Sequence, residues 1–502
     1  MDSILQAIFY SIPYLLAAGL ATILVLLAAL SASRPTVAVY PFLIALFWAS
    51  DISYGNAAAT VGSVFSRGAG YLVFPAFIWA LGLVFIWTKF IQQFSRATST
   101  VASSNLNIWF LGWLLLLSAH VVFAGLTDRS IRDAIGSAGF SNIIWVWLFM
   151  VTMLAAFRNE QDVKWLLRFI VIVGLARAVF GLVRWAAFGG DPANAYANRH
   201  GLDIRLTFFD INDGLICMLT VCTAAMQLFS KRQKPPLSGT YRAILWLAIV
   251  LPAICIVLSF RRTALLGMVI GGAFMLAQLP SRARWRLVAL GIPVALAGIA
   301  YSIWKRLSQT KQAGGMLDFL FDVTPRDVGP DSPRFLELKL AWQSFLEHPI
   351  LGVGSWGNYE GWQQISWQLY EGGGGTYLHS GVLHIGLKAG ILGLVLLFGL
   401  VFSFTMFWRR ARGALTGDLL TLAVAGVAGC LFVIPDFVIA TSLTKHRSVL
   451  FIGFCLSLPY IAYAIECTRQ RLSSESVAGS VAGRSSSLGH SVWQAGRPNL
   501  GA

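Results

Sequence analysis

The sequence predicts an all-α polytopic membrane protein of about 12–14 transmembrane helices, with one large outer loop that contains an amphipathic helix. Three observations carry this prediction. Of the 502 residues, 57% are hydrophobic and only 12% are charged, where an ordinary soluble domain carries about 25% charged residues. Mean hydropathy is +0.69. Apolar runs near the ~20 residues that a spanning helix needs recur along the chain, with no alternating, turn-punctuated pattern of a barrel.

The runs fall near 4–32, 35–50, 71–93, 108–126, 140–157, 165–188, 211–229, 243–260, 264–280, 287–304, 382–407, 416–437 and 448–466. The N-terminus MDSILQAIFY lacks the basic region of a cleavable signal, so the first span is expected to stay. These runs divide the chain into an N-terminal helix bundle (1–304), a loop (305–381), C-terminal spans (382–467) and a tail (468–502). The tail is rich in Ser and Gly, and its composition predicts disorder.

Charge sets the orientation. Lys and Arg number 38 against 22 Asp and Glu, a formal net charge of +16. In a membrane protein the positive-inside rule accounts for such an excess, and no nucleic-acid partner is needed. KRQK (231–234) with Arg242, SRARWR (281–286), WRRAR (408–412) and RNEQDVKWLLR (158–168) are placed in the cytoplasm. The segments 191–213, 305–381, 441–447 and the Arg261–Arg262 joint then share the outer face, and the tail lies inside. The six cysteines, Cys217, Cys222, Cys255, Cys430, Cys455 and Cys467, lie in or beside apolar runs with no CxxC, as packing residues do.

The loop 305–381 is too long to be a plain connection. In RFLELKLAWQSFLEHP (334–349), Phe335, Leu338, Trp342 and Phe345 recur at helical spacing, with Glu337, Lys339, Gln343 and Glu347 between them. The pattern predicts a helix on the membrane surface, ended by Pro349. ILGVGSWGNYEGW and YEGGGGTYLHSG follow. The Gly run lacks the GK[ST] of a phosphate loop and reads as a hinge or a lid.

The stretch FRRTALLG places Arg261 and Arg262 between two spans, although an Arg at a span centre costs roughly 2.5–3.5 kcal/mol. HPILGVGSWGNY and, further on, HSGVLHIGLKAGILGLV resemble the signature of the O-antigen ligase and Wzy-type polysaccharide polymerase superfamily. His379, Leu383, Gly390, Ile391 and Gly393 match, while Ser380 stands for the usual Asn and Lys388 for the usual Glu. LSFRRTALLG resembles the family's arginine stretch, with Arg262 in the arginine position. RLTFFDINDGL resembles another, with Arg205 and Asn212 matching. The resemblance covers about residues 200–410.

It implies a metal-independent glycosyltransferase of the bacterial inner membrane with its site on the periplasmic side and no cofactor. The implied donor is a polyprenyl diphosphate-linked glycan, the acceptor another glycan or lipid A-core, and membrane lipids surround both. The residues fit that chemistry. A diphosphate leaving group needs a cationic partner, which Arg205, Arg261, Arg262 and Arg334 can provide, and the sequence holds no HExxH, DxD or clustered carboxylates. His379, just ahead of a span, is the candidate base.

Plainer readings stand beside these. Arg261 and Arg262 could anchor span ends, Arg205 could pair with Asp203, Asp210 or Asp213, and Arg334 could snorkel to headgroups. His384 and His120 read as packing residues, His348 as a turn residue, His200 and His446 as loop residues. Trp356, Tyr359 and Trp362 fit interfacial packing first and sugar stacking second. A lipid-linked glycan flippase or other transporter is the alternative class, and a structural scaffold a third.

Overall fold

The structure, a computed structural model, describes residues 29–492 apart from 33, 51–63, 66–72, 95–102, 137–140, 195–196, 199–202, 230–237, 310–331, 366–377 and 441. Among them the fold is helical and without strands. In chain order the helices are α1 (Thr36–Trp48), α2 (Ala76–Phe94), α3 (Asn107–Leu126), α4 (Ile131–Ile135), α5 (Asn142–Ala156), α6 (Glu160–Ala187) and α7 (Ile211–Phe229). Then follow α8 (Gly239–Val257), α9 (Arg262–Gln278), α10 (Ser281–Gln309), α11 (Ser332–Glu347), α12 (Gly381–Ala411), α13 (Gly417–Ile439) and α14 (His446–Val492).

Eight of the described helices are long and apolar enough to cross a membrane, and α1, α5 and α9 are shorter apolar helices. Twelve of the thirteen expected spans coincide with a described helix. The first, 4–32, lies almost wholly outside the described residues, as does the Gly run 372–375. The helix α7 forms the buried centre, packed by α6, α8 and α13. The tail differs from expectation, because α14 continues to Val492. No proline interrupts the chain between Pro459 and Pro498, so the backbone can keep its i→i−4 bonds through this polar stretch.

The helices alternate in direction and bring the expected outer segments to one end. There Thr207 donates its amide to Leu258, Arg261 meets Asp436, and Arg447 meets Asp210. At the other end Arg469 pairs with Glu160 at 3.4 Å.

The joint that fixes the site is in the backbone. Helix α12 breaks at Gly390, whose φ of 60° and ψ of −155° are closed to other residues without strain. The break frees the Leu387 carbonyl and the amides of Ile391 and Leu392. The loop after α11 takes all three. Val353 donates to Leu387 O at 2.8 Å, Ile391 donates to Pro349 O at 2.8 Å, and Leu392 donates to Ile350 O at 3.4 Å. The approach demands two glycines: a Cβ on Gly390 would lie 2.2 Å from Ile350 O, and one on Gly352 (φ 71°) would lie 2.5 Å from Leu387 O. The two halves of the HPILGVG and KAGILG pattern are thus one structural joint.

Helix α11 lies where expected, with Phe335 and Trp342 on its outer side, but Glu337 and Phe345 are turned into the protein. Glu337, Ala341, Ser344 and Phe345 are buried against α12 and the loop, whereas Phe335, Trp342 and Leu346 are more than half exposed. The reason is the two-sided setting. Small and polar side chains let α11 approach the protein closely, and the large apolar ones are left to the surface beside Ile350 and Leu351.

Replacing Gly390 with Ala is expected to lower the melting temperature of the purified protein, with the φ strain alone costing on the order of 1–3 kcal/mol. Gly82→Ala is the control, since its Cβ would meet nothing within 4 Å. Equal melting temperatures for the two variants would contradict the joint.

Candidate functional site

His379 precedes α12 and is held by a residue that the periodicity of α11 disguises. Its Nδ1 lies 2.8 Å from Glu337 Oε2, and its backbone amide donates to the same oxygen at 3.3 Å. Glu337 is fully buried, while the His379 side chain keeps 16% of its surface exposed. Nδ1 therefore carries the proton and donates to the carboxylate, which leaves the Nε2 lone pair as the acceptor. Burial holds the His379 pKa below its ordinary value, and the charges of Arg334 and Lys445 push the same way against Glu337. The imidazole is neutral near pH 7.

Ser380 caps α12, its hydroxyl accepting the Leu383 amide at 3.3 Å. Ser and Asn are both good N-caps, so the departure from Asn keeps the physical role. Lys388 is fully buried and donates its ammonium to the Gly357 carbonyl. A Glu could not make that bond, since a carboxylate only accepts. Here the lysine ties the loop to α12.

The expected arginines separate into different settings. Arg261 donates to the Phe209 carbonyl and pairs with Asp436 at 3.0 Å. It braces the start of α9 against α13 and the segment ahead of α7. Arg262 opens α9 at the same end, half-buried. Between Ser259 and Arg261 sits Phe260, a bulky residue at φ 52°, buried among Ile204 and Leu206. Such a backbone costs roughly 1–2 kcal/mol and persists because that packing holds it. Arg334, half-buried on α11, and Lys445, ahead of α14, both act electrostatically on His379.

Arg205 is exposed, and two of its expected partners are engaged elsewhere. Asp210 accepts from Arg447 at 2.8 Å, and Asp213 accepts from Arg447 at 2.9 Å and from Arg177 at 3.1 Å. All four are at most 6% exposed at the side chain. Burial alone would raise the Asp210 pKa, but Arg447 and Lys445 outweigh it and hold it below its ordinary value. Asn212, matched to the family pattern, bonds inward to Asp210 at 2.8 Å and Ser448 at 3.0 Å.

Glu337, Lys445, Arg447 and Arg177 went unassigned in the sequence reading. Glu337 could have been found from its place one turn after Arg334, whereas Arg447 and Arg177 have no local signal. His120 accepts the Ser355 amide at Nδ1 (3.1 Å) and so anchors the loop to α3, while Ser355 Oγ donates to Ala134 O at 2.9 Å. Tyr359 is fully buried, and Trp362 packs beside it. Of the three aromatic residues weighed for sugar stacking, Trp356 lines a cavity. Among the described residues, no cluster of three His, Cys, Asp or Glu side chains could hold a metal ion.

Fold and site thus define a polytopic helical membrane protein with a Glu-held histidine and several cations gathered at one end of the bundle. Residues 247–398 match the family model described as O-antigen ligase, which supports an O-antigen ligase-like family for this chain. The matched stretch contains Arg261, Arg262, Arg334, Glu337 and His379, and leaves Arg205, Lys445 and Arg447 outside. No curated protein matches the chain.

Replacing Arg447 with Leu strands Asp210 and Asp213 in the bundle. The loss is expected to be about 3–5 kcal/mol, read as a fall in melting temperature, whereas Arg205→Ala leaves melting unchanged. Similar melting for both variants would remove the structural role from the buried network.

Proposed function

We propose that this protein is an O-antigen ligase- or polymerase-type glycosyltransferase of a bacterial inner membrane, with its site on the periplasmic side. The donor is a glycan on a polyprenyl diphosphate and the acceptor is a glycan or lipid A-core hydroxyl. The bundle 1–304 and the spans 382–467 form the scaffold, and the segment 305–381 with His379 carries the site. The observation that carries the reading is the His379–Glu337 pair beside Arg334 and Lys445, at the end of the bundle that also holds Arg205, Arg261 and Arg262. The family match supports the transfer of a glycan.

In this reaction His379 Nε2 takes the proton of the acceptor hydroxyl. The hydroxyl oxygen forms its bond to the anomeric carbon, the bond from that carbon to the diphosphate oxygen breaks, and the diphosphate leaves with the electron pair. Direct displacement inverts the anomeric centre. Arg205, Arg262 and Arg334 bind the diphosphate. Arg261, bound to Asp436, contributes its positive end at shorter reach, and Lys445 adds a cation that the sequence reading passed over. Glu337 keeps the histidine in the productive tautomer and stabilises the imidazolium that forms.

Loss of His379 is expected to lower transfer by about 10²–10⁴, the usual contribution of a general base. Glu337→Gln is expected to lower it by on the order of 10², within that same range, with carrier binding kept. Intermediates sized in a host deleted for the gene check this. Carrier-linked single repeats accumulate if the enzyme is a polymerase, and long chains if it is a ligase. Normal surface glycan in the His379→Ala strain would sink the proposal.

The neutral imidazole is the active form. Because its pKa lies below the ordinary histidine value, activity is expected to persist through pH 6.5. It then declines as pH falls through the lowered pKa. A rate profile in nanodiscs reads this, and an acid limb centred above the ordinary value would contradict the assignment.

A further inference from the structure

We propose that a cavity of about 340 Å³ between the α3–α4 turn and the loop after α11 binds the glycan chain at a distance from the reacting sugar. This inference rests on the transferase reading. Its walls include Arg129, Glu347, His348, Trp356, Asn358 and Glu360.

The chemistry of the lining selects the ligand. Two carboxylates against one arginine disfavour a phosphate or another compact anion. Among the described residues Glu347, His348 and Glu360 do not converge as metal ligands. Such polar walls also disfavour an acyl chain. A sugar fits on each count, because every hydroxyl both donates and accepts, and carboxylate, amide, imidazole and guanidinium groups can meet vicinal pairs. Trp356 supplies a flat apolar surface for a pyranose face.

The walls are fixed rather than loose. The Trp356 ring packs on Gly354, where a Cβ would lie 3.0 Å from Cζ2, and it stands edge-to-face with His120, ring centroids 6.2 Å apart. Glu360 donates its backbone amide to Ser344 Oγ at 2.9 Å. The Gly357 carbonyl is held by Lys388, and Ser355 is tied to both His120 and Ala134. A preformed polar cavity loses little ordering entropy on binding.

Its position completes the argument. Glu337 and Glu347 lie ten residues apart on α11, or about 15 Å along the helix axis. A monosaccharide cannot reach from the His379–Glu337 pair to the cavity, but a short oligosaccharide can. The cavity therefore engages the chain beyond the reacting residue and favours extended glycans over single units.

The test uses full-length protein in nanodiscs. The His379→Ala protein is titrated with size-graded oligosaccharides released by mild acid from the producing strain's surface glycan, and binding is read by saturation-transfer NMR. Affinity is expected to rise with length and to fall at least tenfold in Trp356→Ala and in Glu360→Gln, with Trp356→Tyr recovering part of it. In turnover, both pocket variants on the wild-type background raise KM for long carrier-linked glycans and leave kcat near wild type. Unchanged affinity in both variants, or no oligosaccharide binding at all, would overturn the subsite. If instead His379→Ala still transfers glycan while the pocket variants lose binding, the catalytic assignment falls and the subsite stands.

Discussion

The backbone joint between Gly390 and the loop 349–353 is the constraint on which the rest of the site depends. A helix opened near a bilayer exposes groups that water cannot reach, and each unsatisfied group costs several kcal/mol. Here the same loop supplies the missing partner for Leu387 O, Ile391 N and Leu392 N, so helix and loop are stable only together. The consequences spread outward. The loop holds the end of α11, α11 carries Glu337, and Glu337 orients His379 at the head of the same broken helix. Ser355, bonded to His120 and Ala134, stops the loop from pivoting about the joint. The histidine is thus positioned from both sides by backbone that cannot move without exposing polar groups.

Electrostatics at this end divides into two populations. Arg177 and Arg447 lie buried against Asp210 and Asp213, and Arg261 lies against Asp436. These pairs neutralise charge where desolvation is expensive, and removing one partner leaves the other stranded. Arg205 is exposed, and Arg334 and Lys445 act on His379. Their combined field favours an anion and disfavours a protonated imidazole. A single field thereby serves the two demands of the proposed chemistry, binding a leaving diphosphate and keeping its base neutral.

The helical character and order of the apolar runs were legible in the sequence: twelve of the thirteen expected runs coincide with described helices, eight of the described helices being long and apolar enough to cross a membrane. His379 was legible through its motif. The burial of Glu337 and Phe345 was not. Periodicity shows that Phe335 and Trp342 share a side, but it does not tell a protein core from a lipid surface, since both attract apolar groups. Glu337 reads there as one of the polar residues between the apolar positions, although its burial is what orients the base. The partners of Asp210 and Asp213 were misplaced for a different reason. Arg205 is near them in the chain, while Arg447 is distant in the chain and adjacent in space, and local pattern carries no record of such closure.

The break also divides α12 by function. Residues 391–407, between Gly390 and the basic WRRAR segment, measure about 26 Å at the helical rise, against the ~30 Å of a bilayer's hydrocarbon core. That portion exposes Ile391, Leu392, Val395, Phe398, Val401 and Phe402, whereas His384 to Gly390 are buried in protein. The helix surface therefore changes from buried in protein to apolar and exposed at the joint itself, next to exposed Ile350 and Leu351. His379 stands beyond it, at most about 17 Å away along the helix rise. On the proposed reading this is where a membrane-bound carrier presents its diphosphate, with its lipid tail in the bilayer and its glycan toward the loop. One glycine thus fixes where α12 changes from buried to exposed as well as how the loop meets it, and the loop motif and the helix motif must occur together for either to work.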